Sequence, residues 1–270
     1  MQANRLSLNN DKTKILIFDS NPAQAAVLIN VKKDLTLVFC ECKSQKYLGL
    51  VVDSRLNFYE HIEYIKKKVA KRIGAMYRSK NLLPIKYRKT FANALMLPQF
   101  DYLDIIWSRT SKTKLNELDV IYKKVAKIAL NVDMKESSME VYKQMKWLPL
   151  HLRRQLHLST YVYRIVNQTC PKQFIDKFSY ISGGTRDGEN CNLYIPKSRT
   201  HKEFFYNGAQ SWNILPQKLR HSESCKIFSK YYKNLLLVSI TNDSAYKTDN
   251  KFDKLYKLSN CEEVMQALGT

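Results

Sequence analysis

The sequence predicts an α+β fold, mainly α: a small antiparallel sheet followed by a helical bundle and a helical C-terminal domain. Three observations carry this. Short apolar runs bounded by turn residues are confined to the first 56 positions. From Asn57 onward, apolar residues recur at spacings of three and four, the period of a helix face. Gly and Pro number only seven each in 270 residues, too few for a turn-rich all-β chain.

The sheet comes first. Residues 1–8 read as the end of a helix. KILIF, at 14–18, reads as a strand, Asn21-Pro22 as a turn, and 26–31 and 35–40 as two more strands. Residues 45–53 (QKYLGLVVD) read as a further strand, rich in β-branched and apolar side chains. The helices follow. Ile62, Ile65, Val69, Ile73 and Met76 form one apolar face, with Lys66, Lys67, Lys71 and Arg78 opposite. Pro84 opens a second helix with Tyr87, Phe91 and Leu95 inward; Pro98 kinks or restarts it, and 100–107 continue it. A third, 115–130, turns Leu115, Leu118, Tyr122, Val125 and Ala129 inward. Ser137-Ser138-Met139-Glu140 fits a capping box opening a short helix. A longer helix spans 151–168, Cys170-Pro171 ends it, and 172–180 add one short helix. SGGTRDGEN, 182–190, is a loop, and 193–200 are extended. Helices at 204–212 and 224–237 complete the fold, the last with Ile227, Phe228, Tyr231 and Leu235 inward. This divides the chain at 1–56, 57–135, 136–240 and a polar tail, 241–270, expected to be disordered or a loose helix.

Lys and Arg number 45 against 24 acids, a formal charge of +21. The tail beyond 240 holds four Lys and five acids, so the excess lies before it. Such an imbalance favours a polyanionic partner, nucleic acid before an anionic membrane; codon bias toward Lys is the bland alternative. No run of about 18 apolar residues exists, so no membrane span is expected. The polar start carries no secretory signal, and six scattered cysteines suit reduced thiols. An intracellular protein is expected, nucleus and cytoplasm being equally compatible. The sequence carries no signal for an oligomeric state.

The leading candidate site is the basic helix with Lys66, Lys67, Lys68, Lys71, Arg72, Arg78 and Lys80, whose charges can neutralise phosphates. The plain alternative is a solvated, Lys-rich face. Lys86, Arg88, Lys89, Lys123, Lys124 and Lys127 can widen the track, and Arg153 with Arg154 can form a second patch. Tyr161, Tyr163, Tyr231 and Tyr232 can stack on bases, although aromatics at helical spacing are more often core. Asp53, Asp101, Asp104 and Asp119 suit surface or capping roles. Cys40-x-Cys42 has no second pair at zinc spacing, and His151 and His157 share a helix face poorly, so no metal site is expected. There is no G-x-S-x-G elbow, P-loop or dinucleotide fingerprint, and no catalytic residue is assigned.

Several phrases, in order, resemble the part of non-LTR (LINE-type, jockey-like) retrotransposon reverse transcriptases that follows the catalytic hairpin. Residues 4–14 (NRLSLNNDKTK) are similar to motif D, and 46–53 (KYLGLVVD) to the primer-grip strand, motif E. Leu56-Asn57-Phe58 with His61-Ile62 resembles the start of the thumb. Leu82-Leu83-Pro84, 102–107, 118–130, Leu148-Pro149-Leu150 and 211–216 (SWNILP) resemble later thumb and C-terminal phrases. The match covers roughly 4–238. It implies a palm remnant, a thumb and a C-terminal extension that contact an RNA or DNA template–primer duplex, with Tyr47, Leu48 and Gly49 at the primer-grip position. In that family, magnesium is held by an Asp of motif A and an Asp pair of motif C. This sequence has no Asp-Asp pair. The resemblance places both motifs before residue 1, so the expectation is a truncated RNA-directed DNA polymerase by descent, without a cofactor, inactive alone, and retaining nucleic-acid binding. The alternative is a domesticated nucleic-acid-binding or accessory protein.

Overall fold

The computed structural model describes residues 14–18, 40–181, 192–197 and 204–242. The expected strand at 26–31, most of that at 35–40, the loop at 182–190 and the tail from 243 lie outside these residues. The fold is α+β and mainly α. In order, the elements are β1 (Lys14–Ile15), β2 (Cys40–Glu41), β3 (Ser44–Tyr47), β4 (Leu50–Asp53), α1 (Tyr59–Arg78), α2 (Ile85–Phe91), a π-helical turn (Ala92–Met96), α3 (Leu97–Asp101), α4 (Asp104–Trp107), α5 (Lys112–Leu130), α6 (Ser138–Met145), α7 (Leu150–Val166), α8 (Lys172–Ile175), α9 (Phe204–Asn213), α10 (Gln217–Arg220) and α11 (Cys225–Asn242).

Residues 45–53 are not one strand. They form an antiparallel hairpin, Tyr47 opposite Leu50 and Ser44 opposite Asp53, with Leu48 and Gly49 as a two-residue turn. Both turn residues have positive φ, 45° and 87°, the geometry that matches strand twist in tight hairpins. The β-branched run masked the turn, because the glycine is preceded by leucine rather than Asn or Asp. A side chain at position 49 would also lie 3.1 Å from the Tyr102 ring. The Tyr102 hydroxyl donates to the Leu48 carbonyl and holds the turn down. The first pairing also departs from expectation: β1 and β2 are parallel, in a separate two-stranded sheet, and the strand in KILIF is limited to Lys14–Ile15.

The hairpin sets the start of α1. The Asp53 carboxylate, nearly buried, accepts from the backbone N–H groups of Arg55 (3.1 Å), Asn57 (3.1 Å) and Phe58 (2.7 Å). It thereby satisfies two donors of the connecting turn and the N–H of Phe58, the helix N-cap. The Val51 N–H donates to His61 Nδ1 at 3.3 Å. Burial, with Lys68 and Lys46 nearby, pushes the His61 imidazole down to about 4. α1 buries Ile62, Ile65, Val69 and Met76 as its spacing requires, with Ile73 packed at the edge.

The second helix differs from its expected course. Tyr87 (58%) and Leu95 (43%) are exposed; Arg88, Ala92, Met96, Leu97 and Phe100 point inward. From Ala92 onward the cause is Pro98, whose ring cannot approach the carbonyl four residues back. The chain widens by one residue there, the Leu97 N–H reaching the Ala92 carbonyl, and the inward face is displaced. The helix then breaks at Leu103, which has φ 54°, and restarts as α4. In α6, Ser137 occupies the cap position without a side-chain cap bond. In α11, Tyr232 and Leu236 take the inward positions beside Phe228 and Leu235, while Ile227 and Tyr231 are half-buried.

Among the described residues the buried side chains form two clusters. The first runs from Leu50 through α1 to α6 and includes Trp107, Tyr122, Trp147 and Leu150. The second holds Leu148, α7, α9 and α11. Tyr122 is central to the first: its ring meets Phe100 edge-on at 5.3 Å and Trp147 at 5.1 Å, and its hydroxyl donates to the Leu148 carbonyl at 2.8 Å. α9 crosses α7 closely at Gly208, where an added carbon would meet Val162 and Phe178 at 3.0 Å. Asn213 grips both backbone groups of Leu193 at 2.8 Å. Arg220 bonds the Leu215 and Asn213 carbonyls. The phrase at 211–216 thus has a structural role, Trp212 in the core and Asn213 clasping an extended segment.

A polar seam joins α3 and α4 to α7. Asp101 accepts two bonds from Arg153, one from Nε and one from Nη2 at 2.6 Å. Asp104 meets His157 Nδ1 at 2.6 Å. Burial holds the Asp104 carboxyl above its usual range, against the pull of His157, and lowers the Arg154 guanidinium to about 10. Arg153 and Arg154 are therefore seam residues, not a second surface patch. Asp119, expected at the surface, is buried and pairs with Lys123 at 2.5 Å.

Tyr122→Phe leaves the Leu148 carbonyl unpaired in the core and is expected to cost about 1–3 kcal/mol in urea unfolding. His61 is neutral in the fold but protonates near 6.5 once unfolded. Stability is therefore complete above that pH and is lost as pH falls from 6.5 toward 4. Thermal denaturation across that window should show the loss, and His61→Asn, which retains an acceptor for Val51, should reduce it; buried His151, held down to about 3, contributes the remainder.

Candidate nucleic-acid interface

α1 presents its cations in three different settings. Lys67, Lys71 and Arg78 are exposed, and among the described residues none has a carboxylate partner. Their spacing of four and seven puts them on one stripe. That stripe spans about 16 Å of helix axis.

Lys66, assigned to the same face by sequence, is withdrawn from it. Its ammonium lies 2.8 Å from Glu63 and 2.6 Å from Glu117 on α5. Lys114 bonds the same two carboxylates at 2.9 and 3.0 Å. This four-charge knot ties α1 to α5. The Lys66 and Lys114 bonds hold both glutamates below their usual range, and Glu117 and Glu63 hold Lys66 above its own.

Lys68, Arg72 and Lys80 are intermediate. Lys68 sits 4.6 Å from the centre of the Tyr64 ring and Lys80 4.4 Å from that of Tyr77, cation–π contacts that leave ammonium hydrogens toward solvent. One Arg72 nitrogen, Nη1, is buried without a hydrogen-bond partner.

The residues expected to widen the track are divided. Lys86 and Lys124 are exposed. Arg88 is buried, Lys89 reaches the Gln144 carbonyl at 3.3 Å, and Lys127 is buried against the Met134 carbonyl at 2.6 Å. A helix carrying cations around much of its circumference necessarily turns some of them inward.

The hairpin turn carries the primer-grip-like residues into solvent. Tyr47 is 68% and Leu48 72% exposed, with exposed Tyr102 beneath the turn. On the other face of β3, Ser44 donates to Glu60 at 2.5 Å and Lys46 to the Tyr64 hydroxyl at 2.9 Å. These contacts, one helical turn apart, lay the strand along α1. Lys46 and Tyr64 escaped the sequence reading. The four-residue spacing of Tyr64 and Lys68 was visible as a helical pair, but pairing with Lys46 depends on hairpin register.

The tyrosines proposed for base stacking do other work. Tyr163 and Tyr232 are buried against Phe228, and Tyr161 packs edge-on to Phe174 and Phe204. Asp101, Asp104 and His157 form a group with metal-compatible atoms within 4.8 Å of one another. Both Asp101 oxygens already accept from Arg153, so the cation serving this group is a guanidinium. No helix of the described residues is long and apolar enough to cross a membrane.

Comparison with protein-family models, with curated proteins and with solved structures gave no match, so the reading of this surface rests on its geometry and sequence.

Proposed function

We propose that this chain is a nucleic-acid-binding relative of non-LTR retrotransposon reverse transcriptases and holds RNA or DNA along the exposed stripe of α1. The observation that carries the reading is the sorting of charge on that helix. The carboxylates beside it, Glu63 and Glu117, are consumed by Lys66 and Lys114, which leaves Lys67, Lys71 and Arg78 uncompensated toward solvent. From Tyr64 to Arg78 the helix carries no acidic residue, whereas a solvated decorative face would interleave both signs. Single-strand phosphates recur about every 3.4 Å along a duplex, so the stripe matches several of them. The exposed Tyr47-Leu48 turn supplies an aromatic and an apolar contact next to a basic surface. The order of hairpin, basic helix and helical bundle fits the thumb-like region that the sequence phrases suggest.

The reading assigns binding to these residues and no nucleotide addition. The sequence has no Asp-Asp pair, and Asp101 and Asp104 are engaged by Arg153 and His157. Primer extension on an RNA template with magnesium should yield no product from this chain; measured incorporation of nucleotides would refute that assignment.

Filter binding across a salt series tests the surface itself. Affinity should fall steeply with salt. The triple variant Lys67→Gln, Lys71→Gln, Arg78→Gln should lower the log–log slope by about 2 to 3. Lys66→Gln should leave the slope unchanged but lower the melting temperature, because it opens the knot with α5. An unchanged slope in the triple variant would remove α1 as the binding surface.

A further inference from the structure

We propose that Lys46, Tyr64 and Lys68 together form a docking site for one phosphate oxyanion, at the seam where the hairpin lies on α1. The three residues come from two elements. Lys46, on β3, donates to the Tyr64 hydroxyl at 2.9 Å and sits 4.7 Å from its ring centre; Lys68, one turn along α1, sits 4.6 Å from the same centre. Two ammonium groups are thus gathered around one phenol. Among the described residues neither has a salt-bridge partner. Glu60, one turn back on α1, accepts from Ser44, and Glu63 is held by Lys66 and Lys114. Like charges brought together without a counter-charge repel. The Tyr64 ring and hydroxyl attract each cation, and an anion bound between them would offset the repulsion that remains.

The donors suit a tetrahedral oxyanion. Each ammonium has three N–H groups, and Lys46 uses one on Tyr64. The Tyr64 hydroxyl, already accepting, keeps its own proton to donate outward. The electrostatics agree: the Lys46 and Lys68 bonds hold the Tyr64 phenol below its usual range, and the same two cations add to burial in depressing neighbouring His61. A phenol so polarised is a stronger donor to an anion. The tyrosine ring meanwhile shields the lysine stems from full hydration.

The phosphate can be that of a polynucleotide backbone or a free one. The first source rests on the function proposed above, in which case Lys46 brings the hairpin into the phosphate track begun by α1. The second does not.

The test uses the full chain labelled at Lys and Tyr side chains and titrated by NMR, first with inorganic phosphate and then with an oligoribonucleotide. Inorganic phosphate should shift the Tyr64 ring and the Lys46 and Lys68 ammonium signals saturably, beyond sodium chloride at matched ionic strength. Tyr64→Phe, which keeps the ring, should weaken the response about 10-fold through loss of one charged hydrogen bond. The pair Lys46→Gln, Lys68→Gln should abolish it. If that pair also weakens oligoribonucleotide binding, the backbone is the source. If the pair abolishes the phosphate response but leaves oligonucleotide affinity unchanged, the site stands and its ligand is free phosphate. A Tyr64 signal that answers neither ligand, with oligonucleotide bound through Lys67, Lys71 and Arg78, overturns this inference and leaves the proposed function intact. A phosphate response with no polynucleotide binding does the reverse.

Discussion

One buried carboxylate determines where the surface of this protein lies. Asp53 ends β4 and takes three backbone N–H groups from the residues leading into α1. The connection is only five residues long, and two of them, Leu56 and Phe58, adopt positive φ. Without that side chain the Phe58 amide would lie unpaired against the core, at a cost of about 1–3 kcal/mol. The carboxylate therefore fixes both the angle and the register of the helix against the hairpin. The bond from Val51 to His61 and the contacts of Ser44 and Lys46 with Glu60 and Tyr64 follow from that register.

From this placement comes a division of labour among lysines that look equivalent in sequence. Rotation of α1 about its axis is set by Ile62, Ile65, Val69 and Met76, which must face the core. Lys66 is then directed at α5 and Lys67 at solvent, although the two are adjacent. The knot of Lys66, Lys114, Glu63 and Glu117 is a partly exposed network, and its contribution to stability is modest. Its consequence for the surface is larger, because it consumes the negative charge that would otherwise lie beside the outward stripe.

The sequence made the helices legible where burial and period coincide. The inward faces of α1 and α5 were readable because each apolar position recurs at helical spacing with few interruptions. Reading failed where one residue overrode the period. Pro98 adds a π turn at 92–96 and displaces the face there, so Leu95 is exposed where periodicity put it inside. Leu48-Gly49 turns a continuous apolar run into a hairpin without the polar residues that usually mark such turns. The basic helix was legible as a helix with many cations. Which cations are free was not, because that depends on Glu117, fifty-one residues from Lys66. The convergence of Lys46 with Tyr64 was hidden for the same reason: it requires knowing which strand residue lies beside which helical turn.

The Leu148-Pro149-Leu150 segment has an effect that reaches beyond its length. Leu148 belongs to one apolar cluster and Leu150 to the other, and the carbonyl of Leu148 is held by Tyr122 from across the boundary. Two residues apart in the chain, they act like a stitch through two layers of cloth. Separating the layers would pull a leucine out of each and strand a carbonyl between them. The two halves should therefore melt as one cooperative unit, and a ligand held by the first half will also protect the amides of the second from exchange.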